Sequence, residues 1–406
     1  MKILIFTVTA GEGHNSMAKA LIEQIRAEAG ASAEIEVVDI FKAYAGKFKF
    51  RVIDRGYLLL CRRFMWLYNW VFRSQQRRDP KKWKRSPAQW YIRKEAPKIL
   101  EKIREFQPDA IMCTHFSPAM VLTNLRETQE IPAKVCEILF DFVVHPFWEC
   151  TTGVDVIFTP NEVFTAELIK KGFRPEQILP LGQPVRAAFS RRMPKAEARA
   201  ALGLEERFTV MVMLGGGGMG GGKKILKQLL KVKAPLQILM VNGRDSRGQA
   251  QIERFLSRTQ TSHLVKNYGF VTNVDVMMEA ADCLVGKCGG VSVNESLNKD
   301  LPMVLIEHLA EQERQNRKFL LEHNAALGVT KDRPLTAVIE EAAGNPELLA
   351  KLRTGIAGIK KPDACRDIAR WIVGEPSSPP ETSEEAAGES APKADISDEP
   401  SAQDRT

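Results

Sequence analysis

Three glycine-rich turns carry most of the residues that could do chemistry. The first, Thr9-Ala10-Gly11-Glu12-Gly13-His14, follows an apolar run and opens a helical pattern. Glycines at such a turn let a ligand reach the free N–H groups of the helix start, where an anion or a developing oxyanion is favoured. His14 adds a side chain able to take a proton near neutral pH, which makes it the leading candidate for a general base. A plain strand-to-helix turn is the competing reading, but a histidine at the helix start is more than a turn requires. The dinucleotide fingerprint needs a third glycine where Ser16 stands, so NAD binding has little support. The second turn runs from Gly215 and Gly216 to Gly222-Lys223-Lys224. Its spacing approaches a P-loop, yet Lys224 occupies the place of the magnesium-binding Ser or Thr, which argues against a nucleoside triphosphatase. Its backbone N–H groups can still wrap a diphosphate, and a flexible glycine hinge is the alternative. The third turn, Gly286-Lys287-Cys288-Gly289-Gly290, leads into a helix near Ser292. Glu295 follows one turn along, where a carboxylate could accept hydrogen bonds from a ribose diol; taken alone it reads as a solvated helix residue.

These turns need strands and helices to hold them. Apolar β-rich runs at 3–8, 35–38, 110–113 and 134–139 alternate with helical patterns, the first over about 16–29. A second series repeats the plan, with strands at 208–214, 236–241 and 282–285. The expected fold class is therefore α/β, with two Rossmann-like domains facing each other across a cleft. Residues 1–182 form the expected N-terminal domain, on the acceptor and membrane side, with Gly11 and Gly13 in its acceptor-side loop. Residues 183–207, with proline, glycine and charge, make the connection, and 208–361 the donor domain. A closing helix is expected over 362–374, then a disordered acidic tail over 375–406 rich in Pro, Ser, Glu and Ala.

The chain has 406 residues, a size suited to two cores. No apolar run approaches the ~20 residues that span a bilayer, and the short apolar start lacks a signal-peptide cleavage pattern, so a cytoplasmic protein is expected. Seven scattered cysteines without a CxxC pair suggest neither a disulfide framework nor a zinc site. No Asp-x-Asp pair stands at a strand end, so no metal ligands are evident. Net charge is +8 although the acids concentrate in the tail, which leaves the rest markedly basic. Between Phe41 and Lys98, cations such as Arg62, Arg63, Arg77, Arg78, Lys81, Lys82, Lys84 and Arg85 interleave with Phe64, Trp66, Trp70, Phe72, Trp83 and Trp90. Such a mixture suits an anionic membrane surface, with rings at the interface and cations on headgroups. Single-stranded nucleic acid is the alternative partner, and it is disfavoured because no nucleic-acid module accompanies the segment.

Four segments resemble one family. Gly11 to Ala18 matches a Gly-x-Gly-His-x-x-x-Ala start, Asp141-Phe-Val-Val-His145-Pro-Phe-Trp148 an Asp…His-x-x-Trp segment, Gly182-Gln-Pro-Val-Arg186 an interdomain hinge, and Gly269-Phe-Val-Thr a uracil-holding loop. Together with the third glycine turn they resemble the monogalactosyldiacylglycerol synthase and processive diacylglycerol glucosyltransferase family, related to the transferase that glycosylates the lipid-linked peptidoglycan precursor. The resemblance implies a B-type glycosyltransferase fold and inverting transfer of a hexose from a UDP-sugar to a membrane lipid, at the inner face of the cell membrane; no cofactor is expected, and no metal, because no Asp-x-Asp pair is present. It implies Phe270 and Val271 at the base, Gly289, Gly290 and Ser292 at the diphosphate with Lys287 assisting, and Glu295 at the ribose. It sets Gln312, Glu313 and Asn316 at the sugar; as base for the acceptor hydroxyl, Asp141 and His145 are second choices to His14. The chain departs from the family where Gly290-Val291 replaces Pro-Gly and His308-Leu-Ala-Glu-Gln-Glu replaces Pro-x-x-Gly-Gln-Glu. A nucleotide-sugar epimerase of the same build, and a membrane-bound nucleotide-sugar sensor without turnover, stay open as alternatives.

Overall fold

The computed structural model describes residues 1–9, 13–44, 66, 69, 87–128, 131–144, 148–214, 221–306 and 310–374. Gly11, His145, Gly215, Gly216, the acidic tail and most of the basic aromatic segment lie outside the described residues.

The first sheet is built from β1 (Lys2–Thr7), β2 (Glu34–Asp39), β3 (Ala110–Cys113), β4 (Lys134–Ile138), β5 (Val156–Phe158) and β6 (Ile178–Leu179). Its order is β2-β1-β3-β4-β5-β6, all parallel, with Ile3 paired to Ala110 and Phe6 to Cys113 at its centre. The second sheet holds β7 (Phe208–Met213), β8 (Leu236–Val241), β9 (Leu264–Tyr268), β10 (Cys283–Gly286), β11 (Met303–Leu305) and β12 (Ala326–Gly328). Its order is β12-β11-β10-β7-β8-β9, again parallel throughout. The central strands Lys2–Thr7 and Leu236–Val241 are almost wholly buried, as strands covered by helices on both faces must be.

In each sheet the chain moves outward on one side and then resumes on the other. The order reverses between β1 and β3 in the first and between β7 and β10 in the second. Loops leaving the strands at such a reversal diverge and open a crevice for a ligand. The helix that starts at Gly13 follows β1 and the third glycine turn leaves β10, so both lie at these crevices.

The helix Gly13–Ala29 buries Met17, Leu21 and Ile25, spaced every fourth residue, on one face of the first sheet. The helix Ala364–Val373 returns from the far end of the second half to the same face. There Ile368, Ala369 and Ile372 join Ile3, Ile5 and Leu21 in one buried cluster, and the Cys365 thiol donates to the Ala20 carbonyl. A second cluster, led by Val210, Ile238 and Val338, lies within the C-terminal half. The largest runs through both halves and includes Phe6, Phe142, Val185, Phe189, Cys288, Val293 and Phe319.

The segment 183–207 is not a bare tether. It holds the short helices Ala187–Ser190 and Lys195–Ala201, and Lys195 and Arg199 pair with Asp282 at 2.6 and 2.9 Å. Its start is fixed by Gly182, whose φ of +101° suits glycine and whose missing Cβ leaves room for Lys361 and Ala364.

Candidate active site

The helix carrying His14 begins at Gly13, earlier than the expected start near Ser16, so the imidazole sits in its first turn. His14 Nδ1 lies 2.5 Å from the carbonyl oxygen of Thr114, in the loop after β3. A carbonyl only accepts, so Nδ1 carries the hydrogen and Nε2 keeps the lone pair. The ring packs at 4.3 Å on Phe140 and edge-on at 4.8 Å to His115. Burial pushes its pKa down to about 4, against a smaller upward pull from the Thr114 carbonyl. His14 is therefore neutral at physiological pH, as a proton acceptor must be.

The third turn faces it. The helix Gly290–Asn298 begins two residues before the expected Ser292, so Ser292 lies inside its first turn. A Cβ on Gly13 would come within 3.2 Å of Val291 Cγ2, and one on Gly290 within 2.8 Å of the Phe140 carbonyl oxygen. Glycine at position 13 lets the two helix starts approach across the Phe140 ring, and glycine at 290 lets the Phe140 loop close on the second, so both starts meet at one crevice. Its walls include Met17, Phe140, Gln183, Val291 and Glu295.

Glu295 is 6% exposed and sits 3.5 Å from Arg186 Nη2. Burial raises its pKa to about 7, while the Arg186 charge holds it lower than burial alone would. It is thus not a solvated helix residue. Asn294, beside it, donates to the Gln183 carbonyl at 2.7 Å, and Gln183 Nε2 donates to the carbonyls of Leu139 and Phe140 at 3.2 and 2.7 Å. The hinge sequence therefore ties the helix Gly290–Asn298 to the loop after β4.

On the remaining side stands the helix Glu311–Glu322. Glu313 caps its start, Oε2 accepting from the Ala310 N–H at 3.4 Å. Burial raises the Glu313 pKa, the Lys287 charge lowers it and Asp141 raises it, so these three charged groups share one neighbourhood. Gln312 is half-buried at the same end. Asn316 is wholly buried and donates to Asp141 Oδ1 at 3.0 Å. Burial pushes the Asp141 pKa up, with the Asn316 bond opposing it. Phe270 is 65% exposed beneath the Arg244 guanidinium at 5.6 Å, and Val271 packs on the core. Among the described residues no group of three His, Cys, Asp or Glu side chains could hold a metal ion.

Gly290 and Glu295 thus line one crevice, His14 packs on its Phe140 wall, and Asp141, Lys287 and Glu313 form a charged group of their own. Arg186, Asn294 and Gln183 line the same crevice and the Thr114 carbonyl holds His14; sequence reasoning had Gln183 and Arg186 only in the hinge and gave Asn294 and Thr114 no role. Arg186 and Glu295 are 109 positions apart, and no local pattern links them.

The monogalactosyldiacylglycerol synthase model matches residues 14–185, and the glycosyltransferase family 28 C-terminal domain model matches residues 220–358. The chain belongs to the monogalactosyldiacylglycerol synthase and processive diacylglycerol glucosyltransferase family. Similar members include a processive diacylglycerol beta-glucosyltransferase of Bacillus mycoides, 23% identical over 92% of this chain and 94% of that protein. A probable chloroplastic monogalactosyldiacylglycerol synthase of Nicotiana tabacum is 26% identical over 79% of this chain and 61% of its own length. The crystal structure of Acinetobacter baumannii MurG superposes with a TM-score of 0.62 at 13% identity, covering 92% of this chain and 99% of that one. The fold is that of the B-type glycosyltransferases. In this family member the helix starts at Gly13 and Gly290, at the two sheet reversals, face each other.

Proposed function

We propose that this protein transfers a hexose from a UDP-sugar to a diacylglycerol-type membrane lipid, inverting the sugar carbon. The observation that carries the reading is the convergence of two helix starts, one bearing His14 and the other opening at Gly290, in a member of a lipid glycosyltransferase family. A diphosphate departing at the Gly290 end meets N–H groups already oriented toward negative charge, with Lys287 beside them. Glu295 accepts from the ribose diol, Phe270 offers its exposed ring to the base, and Gln312 and Glu313 face the sugar. The lipid hydroxyl enters from the opposite side and gives its proton to Nε2 of His14 as its oxygen attacks the anomeric carbon. One bond forms on the face opposite the breaking one, so configuration inverts. A base of pKa about 4 is weak, and the arriving substrates, by bringing the diphosphate charge close, raise its proton affinity in the complex.

The protein works at a membrane surface. No helix among the described residues is long and apolar enough to span a bilayer. The basic aromatic segment before Lys98 supplies the contact with anionic lipid, and Trp66 within it is exposed. The inner face of the cell membrane is where donor and acceptor meet.

Incubation of the purified protein with labelled UDP-hexoses and liposomes containing diacylglycerol tests the reading, with the product identified by mass spectrometry and its anomeric configuration by NMR. A labelled glycolipid is expected, and its yield should survive excess EDTA because N–H groups and Lys287 serve the diphosphate. Epimerised free nucleotide-sugar in place of glycolipid would overturn the assignment, and loss of yield restored by magnesium would overturn the metal-free mechanism.

A further inference from the structure

The helix Glu311–Glu322 belongs to the second half, yet two of its side chains are committed to the first. Asn316 is completely buried. Its Oδ1 accepts from the Phe142 N–H at 2.8 Å, while its Nδ2 donates to Asp141 Oδ1 at 3.0 Å and to the Cys288 carbonyl at 2.9 Å. One amide therefore joins three elements: the loop after β4, the turn that leads to Gly290, and its own helix. One turn further on, Phe319 stacks on Phe142 at 5.1 Å and meets Phe164 at 5.4 Å. Both rings belong to the first half, so Phe319 is inserted between them.

Helix geometry puts Gln312, Asn316 and Phe319 at spacings of four and three, along one face. That face runs from the sugar end of the cleft straight into the joint between the halves. The chemistry of the joint selects an amide. It presents an acceptor to a backbone N–H and a donor to a carboxylate at once, which neither a carboxylate nor an apolar side chain can do. If the halves part, Asn316 loses two of its three partners and Phe319 loses both rings. Partial engagement leaves buried polar groups unsatisfied, so the joint favours fully made or fully open states.

We propose that Asn316 is a positioning residue which couples apposition of the two halves to assembly of the sugar end of the site. When Asp141 and Phe142 seat on its amide, the helix start bearing Gln312 and Glu313, and the Cys288 turn beside Lys287, take their working places. In the open state both are released together. The inference rests on the transfer reading for what the site does, while the joint itself is a statement about the fold.

The test uses the full chain and three variants: N316A, N316D and N316D/D141N. Hydrogen exchange at the Phe142 amide reports the joint, exchange in β1 and β7 reports that both sheets are folded, and calorimetry with uridine diphosphate reports the donor site. For N316A we expect faster exchange at Phe142, weaker uridine diphosphate binding as the Cys288 turn beside Lys287 loosens, and kcat lower by roughly 10- to 100-fold through misplacement of the sugar. N316D sets a carboxylate against Asp141 and should open the joint further. Adding D141N restores an amide–carboxylate pair with the roles exchanged, and protection of Phe142 should recover above that of N316D. Unchanged Phe142 exchange in N316A, or no recovery in the double variant, would overturn the proposal. If the parent glycosylates no lipid, the transfer reading fails, while the exchange measurements still decide whether the joint is as described.

Discussion

Burial acts on His14 and Glu295 in opposite senses, and the difference can be measured. The folded protein holds a proton on His14 only below about pH 4, whereas the unfolded chain holds it up to about 6.5. Acidification through that window therefore costs the folded state stability. Glu295 keeps its proton up to about pH 7 in the folded state, whereas the unfolded chain releases it near 4.5. Its contribution is fully present below the lower value and is lost as pH rises to the upper one. Each effect is bounded at roughly 3 kcal/mol. Relative to the parent, His14→Ala should gain thermal stability as pH falls from about 8 to about 5, and Glu295→Gln should gain as pH rises over the same range. Melting curves at the two pH values check both signs. In assay, His14→Ala should lower kcat by about 10²–10⁴ with donor affinity retained. Glu295→Gln should instead weaken uridine diphosphate binding in calorimetry, because the ribose loses a charged acceptor. Both residues were singled out in the sequence beside a glycine turn, His14 by its own chemistry and Glu295 only through the family resemblance, since taken alone it read as a solvated helix residue. Arg186, the partner of Glu295, was not, because a cation at the end of a hinge sequence gives no sign of what it meets across a cleft.

At the scale of elements, two glycines separate shape from chemistry. Gly182 has a positive φ, and a Cβ there would come within 2.5 Å of Lys361 Cβ and 2.7 Å of Ala364 Cβ. Gly182→Ala should cost about 2–4 kcal/mol from the left-handed backbone and the crowding together, read as a lower denaturation midpoint. Gly290 opens a helix and is crowded only by the facing loop, where its Cβ would press on the Phe140 carbonyl oxygen at 2.8 Å. Gly290→Ala should hold a midpoint near the parent's, alanine being the better helix former, and lose turnover because the loop bearing Phe140 and Asp141 is pushed away from this helix start. The expected strands at 110–113 and 236–241 match β3 and β8 residue for residue. The strands Val156–Phe158, Ile178–Leu179, Met303–Leu305 and Ala326–Gly328 escaped because two or three residues are too few to show a period. Their place is set by pairing with neighbours far along the chain. Asn316 was expected at the sugar, and its buried bonds to Asp141 and Phe142 connect two halves that no local reading brings together.

For the whole molecule, attachment to the membrane and chemistry in the cleft should come apart under mutation. Replacing Arg77, Arg78, Lys81, Lys82, Lys84 and Arg85 by glutamine should weaken binding to anionic liposomes, and added salt should weaken the parent in the same way. Turnover on a detergent-dispersed acceptor should stay near the parent's. Co-sedimentation with liposomes decides it, and unchanged binding would remove the segment from the membrane contact. The helix Ala364–Val373 bears on a different matter, the order of events during synthesis. Chains generally fold domain by domain as they emerge from the ribosome, the first domain leading. Here the first sheet cannot finish its core early, since Ile368, Ala369 and Ile372 cover the face that Ile3, Ile5 and Leu21 present. Until those late residues are made, that apolar surface stays open in the nascent chain and the earlier half must wait for the later one. A transferase built this way is completed in both halves at nearly the same moment, so an isolated first half would be a poor scaffold for acceptor binding and a natural client for chaperones.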